Sequence, residues 1–267
     1  MTKVAVTLSL FVSFSLLIMC GIVVASSKSA VDHELEELIS SYRYSTEVKK
    51  IIQQIKWSGI TDNQIFRLIE KDLLTVEIGS RRPGNTENIS WLIQGLAYSG
   101  NTEFQYLIES FLSSPVKKIK RNARSSLILL PKFEKWNPVI FSGLEGLSRS
   151  ELNTKRIQNM LAATDPELVR AGVSRVYHEE HRNNFLMSMI AKDLAGSYKE
   201  SRVSFRETDL ISWYCKALGR SNNPAHLPLL KEVHEQTKSD RVRNWAEIAI
   251  KDLGGSVVDQ FDEDVYW

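Results

Sequence analysis

Residues 86–91 read TENISW, and residues 208–213 read TDLISW, 122 positions further along a chain of 267 residues. The similarity extends to both sides of these segments, at shifts of 121 to 123 positions. Upstream, residues 69–73 (IEKDL) match residues 190–194 (IAKDL). Downstream, the matched positions are Leu96, Ser99, Asn101 and Leu107, which recur as Leu218, Ser221, Asn223 and Leu229. Ordered matches of this kind indicate an internal duplication, and a fixed period is the signature of a repeat architecture.

Each copy is long enough for three antiparallel helical hairpins, since a third of the period is about 41 residues. Glycine and proline are scarce, at 13 and 7 residues, which favours long helices over a loop-rich sheet protein. We therefore predict an all-α fold, an α-solenoid (superhelix) of about six antiparallel hairpins, arranged as a tandem duplication of a three-hairpin unit. Apolar residues at helical spacing predict helices over residues 31–43, 45–58, 61–75, 86–99, 103–113, 117–130, 151–163, 165–180, 182–196, 207–220, 224–237 and 239–253.

Several of the predicted helices carry recognisable start signals. Asp165-Pro166 and Asn223-Pro224 each place a capping side chain before a proline in the first turn. Thr61 with Gln64 has the spacing of a capping box, in which a hydroxyl and a longer polar side chain satisfy each other's backbone N–H groups. These signals predict helix starts next to residues 61, 165 and 223.

Three stretches of the sequence resemble HEAT repeats. Residues 165–170 (DPELVR) and 240–246 (DRVRNWA) are similar to the acid, valine-arginine and alanine pattern of the second helix of that repeat. Residues 217–224 (ALGRSNNP), with the leucines that follow them, resemble the start of its leucine-rich first helix. The resemblance covers most of residues 45–253 and departs from the repeat in the middle hairpins, where an extra loop separates the two helices. It implies a curved surface for another protein and little about chemistry.

The N-terminal segment is typical of exported proteins. Residues 4–25 are uncharged and largely apolar, and a polar stretch follows them. Val23 and Ala25 supply the small residues that a signal peptidase requires, so we predict a signal peptide over residues 1–25, with an uncleaved membrane anchor as the alternative. Cleavage leaves a single cysteine, Cys215, on an apolar helical face, where we expect a buried thiol. The predicted location is periplasmic or secreted, or membrane-anchored if the segment is retained.

These features divide the chain into five predicted parts. The parts are a signal peptide or membrane anchor (1–25), a first three-hairpin HEAT-like unit (26–130), a linker with room for a short helix (131–149), a second three-hairpin HEAT-like unit (150–253) and an acidic aromatic tail (254–267). In the tail, residues 259–267 read DQFDEDVYW, with four acids and three aromatics. We expect this stretch either to fray or to dock as a short peptide in a groove.

Two equivalent loops carry the candidate partner-binding residues, which are Ser80, Arg81 and Arg82 in the first copy and Ser201, Arg202 and Arg206 in the second. Arginine suits forked recognition of carboxylate and phosphate groups, so paired basic loops on one edge of a solenoid would hold such groups on a partner. The alternative role is structural. Asp72 and Asp193 lie in the last turns of the preceding helices, facing the negative end of the helix dipole, and Arg81 and Arg202 would then pair with them.

Two further clusters suggest other classes of ligand. His178 and His181 lie three residues apart on one predicted helix, a spacing that can grip a metal ion, but the sequence lacks the zinc-protease motif and no metal site is predicted. Residues 117–124 hold five basic side chains, whereas the second copy mixes both charges at equivalent positions. The net charge is only +2, from 34 basic and 32 acidic residues, so a solvated face is favoured over a nucleic-acid site.

We predict a non-enzymatic scaffold or adaptor of the cell envelope, which binds a protein partner on its curved helical-repeat surface and through the paired basic loops. The sequence assembles no nucleophile, base and orienting group, so no catalytic residue and no cofactor are predicted. Two alternatives stay open: an enzyme or metal-dependent module whose site forms only in three dimensions, and a membrane-anchored structural spacer. A nucleic-acid partner is not expected, and membrane contact is expected only through a retained N-terminal segment.

Overall fold

The fold is all-α, as predicted, over the part of the chain that the structure describes. The computed structural model describes residues 28–44, 47–75, 83–178, 183–199 and 204–254. These residues form twelve α-helices and three short 3-10 helices, with no strand among them. The α-helices are α1 (Ala30–Tyr44), α2 (Val48–Lys56), α3 (Asn63–Thr75), α4 (Pro83–Tyr98), α5 (Gln105–Ser110), α6 (Lys117–Phe141), α7 (Arg149–Leu161), α8 (Pro166–His178), α9 (Asn184–Ser197), α10 (Phe205–Gly219), α11 (Leu227–Gln236) and α12 (Asp240–Asp252).

Two of the predicted parts fall largely outside this description. The signal peptide or anchor (1–25) lies outside the described residues, and so does the tail beyond Gly254. Among the helices that are described, none is both long and apolar enough to cross a membrane.

The helices pack as consecutive pairs. α1 contacts α2, α3 contacts α4, and each later pair follows the same plan, up to α11 with α12. Neighbouring pairs meet through their second helices, as α2 with α4, α4 with α6, α8 with α10 and α10 with α12. First helices also meet, as α1 with α3, α7 with α9 and α9 with α11. This packing buries one apolar face of each helix, which accounts for the helical spacing of apolar residues in the sequence.

The buried apolar side chains form two clusters. The first cluster is built mainly from α1 to α6, and the second from α7 to α12. The division is not complete, since Met160 of α7 and Leu168 of α8 pack with the first cluster. The two halves of the chain are therefore joined by side-chain packing as well as by the connecting backbone.

Helix α6 is longer than the sequence predicts. The prediction ends this helix at residue 130 and places a linker over residues 131–149, whereas α6 continues to Phe141 with Pro131 and Pro138 inside it. Both prolines lie on the exposed side, so the carbonyl groups left without an intrahelical donor face water. The helix continues because burial of its side chains contributes more free energy than the two prolines cost. The buried side chains continue without a break through Leu130, Phe133, Trp136, Asn137 and Ile140.

The C-terminal part of α6, residues 131–141, crosses the ends of α2 and α4, and we call it the α6 extension. The ring of Phe133 lies 4.8 Å from that of Tyr98 in α4 and 6.0 Å from that of Trp57, which follows α2. The Asn137 amide donates hydrogen bonds to the carbonyl oxygens of Tyr98 and Ser99, at 2.9 and 3.0 Å. These bonds satisfy carbonyl groups that the end of a helix leaves without a partner.

A second connection joins the two halves at α1 and α7. Helix α7 contacts α1 as well as α6. Arg156 of α7 donates two hydrogen bonds to the carboxylate of Glu34 in α1, one of them at 2.9 Å, and only 5% of the Arg156 side chain is exposed. Arg149 pairs with Glu37 at 2.5 Å on the more exposed side. A forked, buried arginine-carboxylate pair fixes the relative orientation of the two helices.

The predicted capping is correct at two of three helix starts. Asp165 and Asn223 cap as predicted, since each accepts a hydrogen bond from the backbone N–H two residues further on. The predicted capping box of Thr61 and Gln64 is wrong, because the carboxylate of Asp62 accepts the hydrogen bond from the Gln64 N–H at 2.7 Å. A carboxylate is a stronger acceptor than a hydroxyl next to it, and it also suits the positive end of the helix dipole.

Substitution of Gly100 by alanine should destabilise the protein strongly. Gly100 has a φ of +67°, and a Cβ atom there would lie 2.4 Å from the backbone nitrogen of Glu134 in α6. We expect a loss of more than about 3 kcal/mol in the free energy of unfolding, measured by chemical denaturation. Gly146 is the matched control, since its φ is +74° with open space around it. Gly146→Ala should lose only about 1 kcal/mol, and equal losses in both variants would refute the close contact with α6.

The thiol of Cys215 should react only when the protein unfolds. Cys215 is fully buried, and burial raises the pKa of its thiol to about 12, so neither access nor ionisation favours reaction at neutral pH. Labelling with a thiol reagent, located by peptide mass spectrometry, should be slow in buffer and should accelerate across the denaturation transition. Rapid labelling of Cys215 in buffer would be inconsistent with this packing.

Candidate functional site

A cleft of about 590 Å³ lies where the two halves of the chain meet, and we call it the junction cleft. One side of the cleft, which we call its floor, comes from the end of α2 and from α6, through Trp57, Phe133 and Trp136. The opposite wall comes from α8 along its whole length, from Pro166 to His178, and from the first turns of α10. Residues from both predicted units therefore contribute to one cavity, which is the usual position of a binding site between packed helical layers.

Aromatic side chains form the floor of the junction cleft. The ring of Phe133 is fully buried and lies 6.0 Å from Trp57 and 5.3 Å from Trp136. The indole N–H of Trp136 donates a hydrogen bond to Asp165 at 2.7 Å, which anchors this ring to the start of α8. Because each ring is held by a neighbour, the floor is preformed and needs little ordering when a ligand binds.

The cleft carries more positive than negative side chains. Four basic residues line it, Lys56, Arg170, Arg175 and Arg206, against the two carboxylates Glu167 and Asp209. Each carboxylate is already shared between two cations of the protein: Glu167 pairs with Lys132 and Arg206, and Asp209 pairs with Arg170 and Arg241. The field inside the cleft therefore favours an anionic ligand.

Lys56 is a basic residue of the cleft whose surroundings differ from those of an ordinary surface lysine. Its ammonium lies 4.3 Å from the ring centre of Trp57 and 5.6 Å from that of Tyr98. Burial lowers the pKa of this ammonium, because the aromatic walls replace part of its hydration shell. Within the described part of the chain, Lys56 has no hydrogen bond and no ion pair. It is a desolvated cation that a ligand carboxylate would stabilise.

The structure describes one of the six predicted partner-binding residues. Arg206, at the start of α10, lines the junction cleft and lies 3.3 Å from Glu167, with 79% of its side chain exposed. The other five, Ser80, Arg81, Arg82, Ser201 and Arg202, lie outside the described residues, so their predicted role is not tested. Arg206 was predicted to lie in a loop, and in the structure it lines this cleft from the first turn of α10.

The structure describes the aspartates expected to pair with the loop arginines, whereas Arg81 and Arg202 lie outside the described residues. The hydroxyl of Tyr42 in α1 donates a 2.7 Å hydrogen bond to Asp72, which supplies a partner for this carboxylate within the described chain. Burial and the Asp72 carboxylate both raise the pKa of the Tyr42 hydroxyl. In the second copy, burial raises the pKa of Asp193. Sequence comparison missed Tyr42 because the match between copies begins at residue 48.

The histidine pair is described at one residue only. The ring of His178 lies 4.9 Å from that of Tyr177 and 5.9 Å from that of Trp213, while His181 is outside the described residues. Across the part of the chain that the structure covers, no three His, Cys, Asp or Glu side chains are grouped as metal ligands. In these surroundings His178 is an aromatic wall residue of the cleft.

Sequence reasoning did not select Lys56, Trp57, Phe133 or Trp136. One signal was present, because the duplication aligns residue 57 with residue 178 at a shift of 121 positions. The two copies differ there, with tryptophan in one and histidine in the other, and both side chains line the junction cleft. Residues that a duplication does not share are candidates for sites between the copies, whereas shared residues mostly serve the repeated core.

Comparison with protein-family models, with curated proteins and with solved structures finds no match to this chain.

Replacement of Lys56 by methionine should stabilise the protein at neutral pH by roughly 0.5 to 1 kcal/mol, since the thioether keeps the aromatic contacts and removes a desolvated charge. The folded state holds the Lys56 proton less tightly than the unfolded state does, because the folded pKa is lowered. The difference between variant and wild type should therefore shrink as the pH rises toward 10.5, the ordinary lysine pKa.

Denaturant unfolding at several pH values measures this difference. Lys50→Met is the control on the same helix, since 72% of the Lys50 side chain is exposed, and it should change stability by less than about 0.5 kcal/mol. If Lys56→Met instead lowered the free energy of unfolding at every pH, the prediction would be wrong, because the folded protein would then stabilise the Lys56 ammonium.

Proposed function

We propose that this chain is a non-enzymatic binding protein of the cell envelope, and that its junction cleft takes an extended segment of a protein partner. The segment is rich in acidic and aromatic residues. Its carboxylates pair with Lys56 and with the arginines of α8 and α10, and an aromatic side chain packs on Trp57. The predicted scaffold or adaptor would then bind its partner in the junction cleft, through an acidic and aromatic segment of the partner.

The observation that carries the proposal is the position of Lys56, a desolvated cation above aromatic rings. The carboxylates of the cleft are already engaged by other cations, so they are not placed to neutralise Lys56. A ligand carboxylate would form a charge-assisted hydrogen bond with this ammonium in a low-dielectric site, where such bonds are strongest. An aromatic ligand side chain would add contact area with the rings of the floor.

The packing of the helices supports the predicted solenoid. Second helices contact one another in the series α2, α4, α6 and in the series α8, α10, α12. We infer two stacks of three hairpins, six hairpins in all, each corresponding to one copy of the duplication. The HEAT-like stretches of the sequence agree with this arrangement, and the apolar N-terminal segment supports export to the periplasm or the cell exterior. In such an array, grooves between stacked helices are the common sites for extended peptides.

Selection from a displayed peptide library tests the proposed ligand class. The chain should enrich peptides with two or more acidic residues next to an aromatic residue. In calorimetric titrations, Lys56→Glu should weaken the binding of the selected peptides at least tenfold, since it replaces attraction by repulsion. Lys50→Glu, on the same helix outside the cleft, should alter the dissociation constant less than twofold.

Binding should also weaken as the salt concentration rises, because the pairing is electrostatic. Enrichment of basic or purely aliphatic peptides would contradict the proposal. So would acidic peptides that bind the wild type and the Lys56→Glu variant with equal affinity.

A further inference from the structure

The last nine residues of the sequence have the composition that the junction cleft favours. Residues 259–267 read DQFDEDVYW, with four carboxylates within six positions and three aromatic side chains. The cleft presents four basic side chains and an aromatic floor. Charge and apolar surface are therefore complementary between this tail and the cleft.

The described end of the chain lies near the C-terminal end of α8, one wall of the cleft. Helix α12 ends at Asp252, which borders a second cavity of about 360 Å³ together with Val176 and Tyr177 of α8. The neighbouring residue, His178, lines the junction cleft. The two cavities thus contact neighbouring residues of the last turn of α8, and the described chain ends two residues after Asp252, at Gly254.

The tail is long enough to run through the whole cleft. Thirteen residues follow Gly254, and thirteen extended residues span roughly 43 to 47 Å. Helix α8, which forms one wall from Pro166 to His178, is only about 20 Å long. A chain that enters beside His178 is therefore long enough to follow α8 along its whole length. On this path it passes Arg220, whose guanidinium stacks 4.3 Å from the ring centre of Tyr177.

The other basic surface of the molecule fits the tail less well. Residues 117–124 at the start of α6 carry five basic side chains, and the next exposed large apolar side chain along the described part of this helix is Ile128. Three aromatic side chains would stay in water if the tail lay there. The junction cleft satisfies the acidic and the aromatic residues together.

We infer that residues 259–267 occupy the junction cleft of their own molecule, so that the tail competes with the partner segment. This inference rests on the proposed function, because it assigns to the same cleft an internal ligand of the same chemical class. A ligand attached through a short linker has an effective concentration near the millimolar range, so a partner must bind more tightly than the tail to displace it.

Zero-length carbodiimide coupling of the full chain, followed by peptide mass spectrometry, tests this contact. Carbodiimide joins a lysine amine to a carboxylate that already touches it. Lys56 should couple to Asp259, Asp262, Glu263 or Asp264, with a yield that does not depend on protein concentration. Lys56→Gln should abolish these products, and Lys50→Gln should leave them unchanged.

A full chain in which the four tail acids are replaced by their amides (D259N, D262N, E263Q, D264N) provides the second measurement. A labelled peptide of residues 255–267 should bind this variant at least tenfold more tightly than it binds the wild-type chain, because the cleft of the variant is vacant. A control peptide carrying the same four amides should bind neither chain.

Three results would overturn the inference: coupling of the tail to Lys117, Lys118 or Lys120 in place of Lys56, coupling only between two copies of the chain, or equal peptide binding by both chains. Failure of the inference is distinguishable from failure of the proposed function. If library-selected acidic peptides bind the amide variant through Lys56 while the tail peptide does not, only the inference fails. If neither kind of peptide binds, both fail.

Discussion

The contact between the α6 extension and the end of α4 depends on the side-chain amide of Asn137. Its two hydrogen bonds go to the backbone carbonyls of Tyr98 and Ser99, where α4 ends. They fix the α6 extension across the ends of α2 and α4, and Gly100 allows the two backbones to touch. The same crossing places Phe133 and Trp136 beside Trp57, so the floor of the junction cleft exists because this contact exists.

The charges of the cleft are organised in two ways. Glu167 and Asp209 each bind two cations from different helices, which ties α6, α8, α10 and α12 together. Lys56 instead lies against aromatic rings, where burial lowers the pKa of its ammonium. The first arrangement stabilises the fold, and the second places an unneutralised charge where a ligand can reach it. Binding sites often contain such groups, which the rest of the structure holds in an unfavourable environment.

The fold class could be predicted from the sequence, because helical spacing and a duplicated period are local and repeated signals. The end of α6 could not, since Pro131 is a strong local stop signal and the buried contacts that override it come from distant residues such as Tyr98. The candidate site was missed for a related reason. Arg206 was found through the duplication, whereas Lys56, Phe133 and Trp136 gain their roles only when the two halves meet.

The contact between α7 and α1 also affects how copies of this chain can associate. In an open stack of hairpins, the first and last pairs each leave a face uncovered, and complementary end faces can join head to tail into filaments. Here α1 is covered by α7 through Glu34 with Arg156 and Glu37 with Arg149. In the proposed hairpin array, this contact leaves less of the α1 surface open to a second copy of the chain.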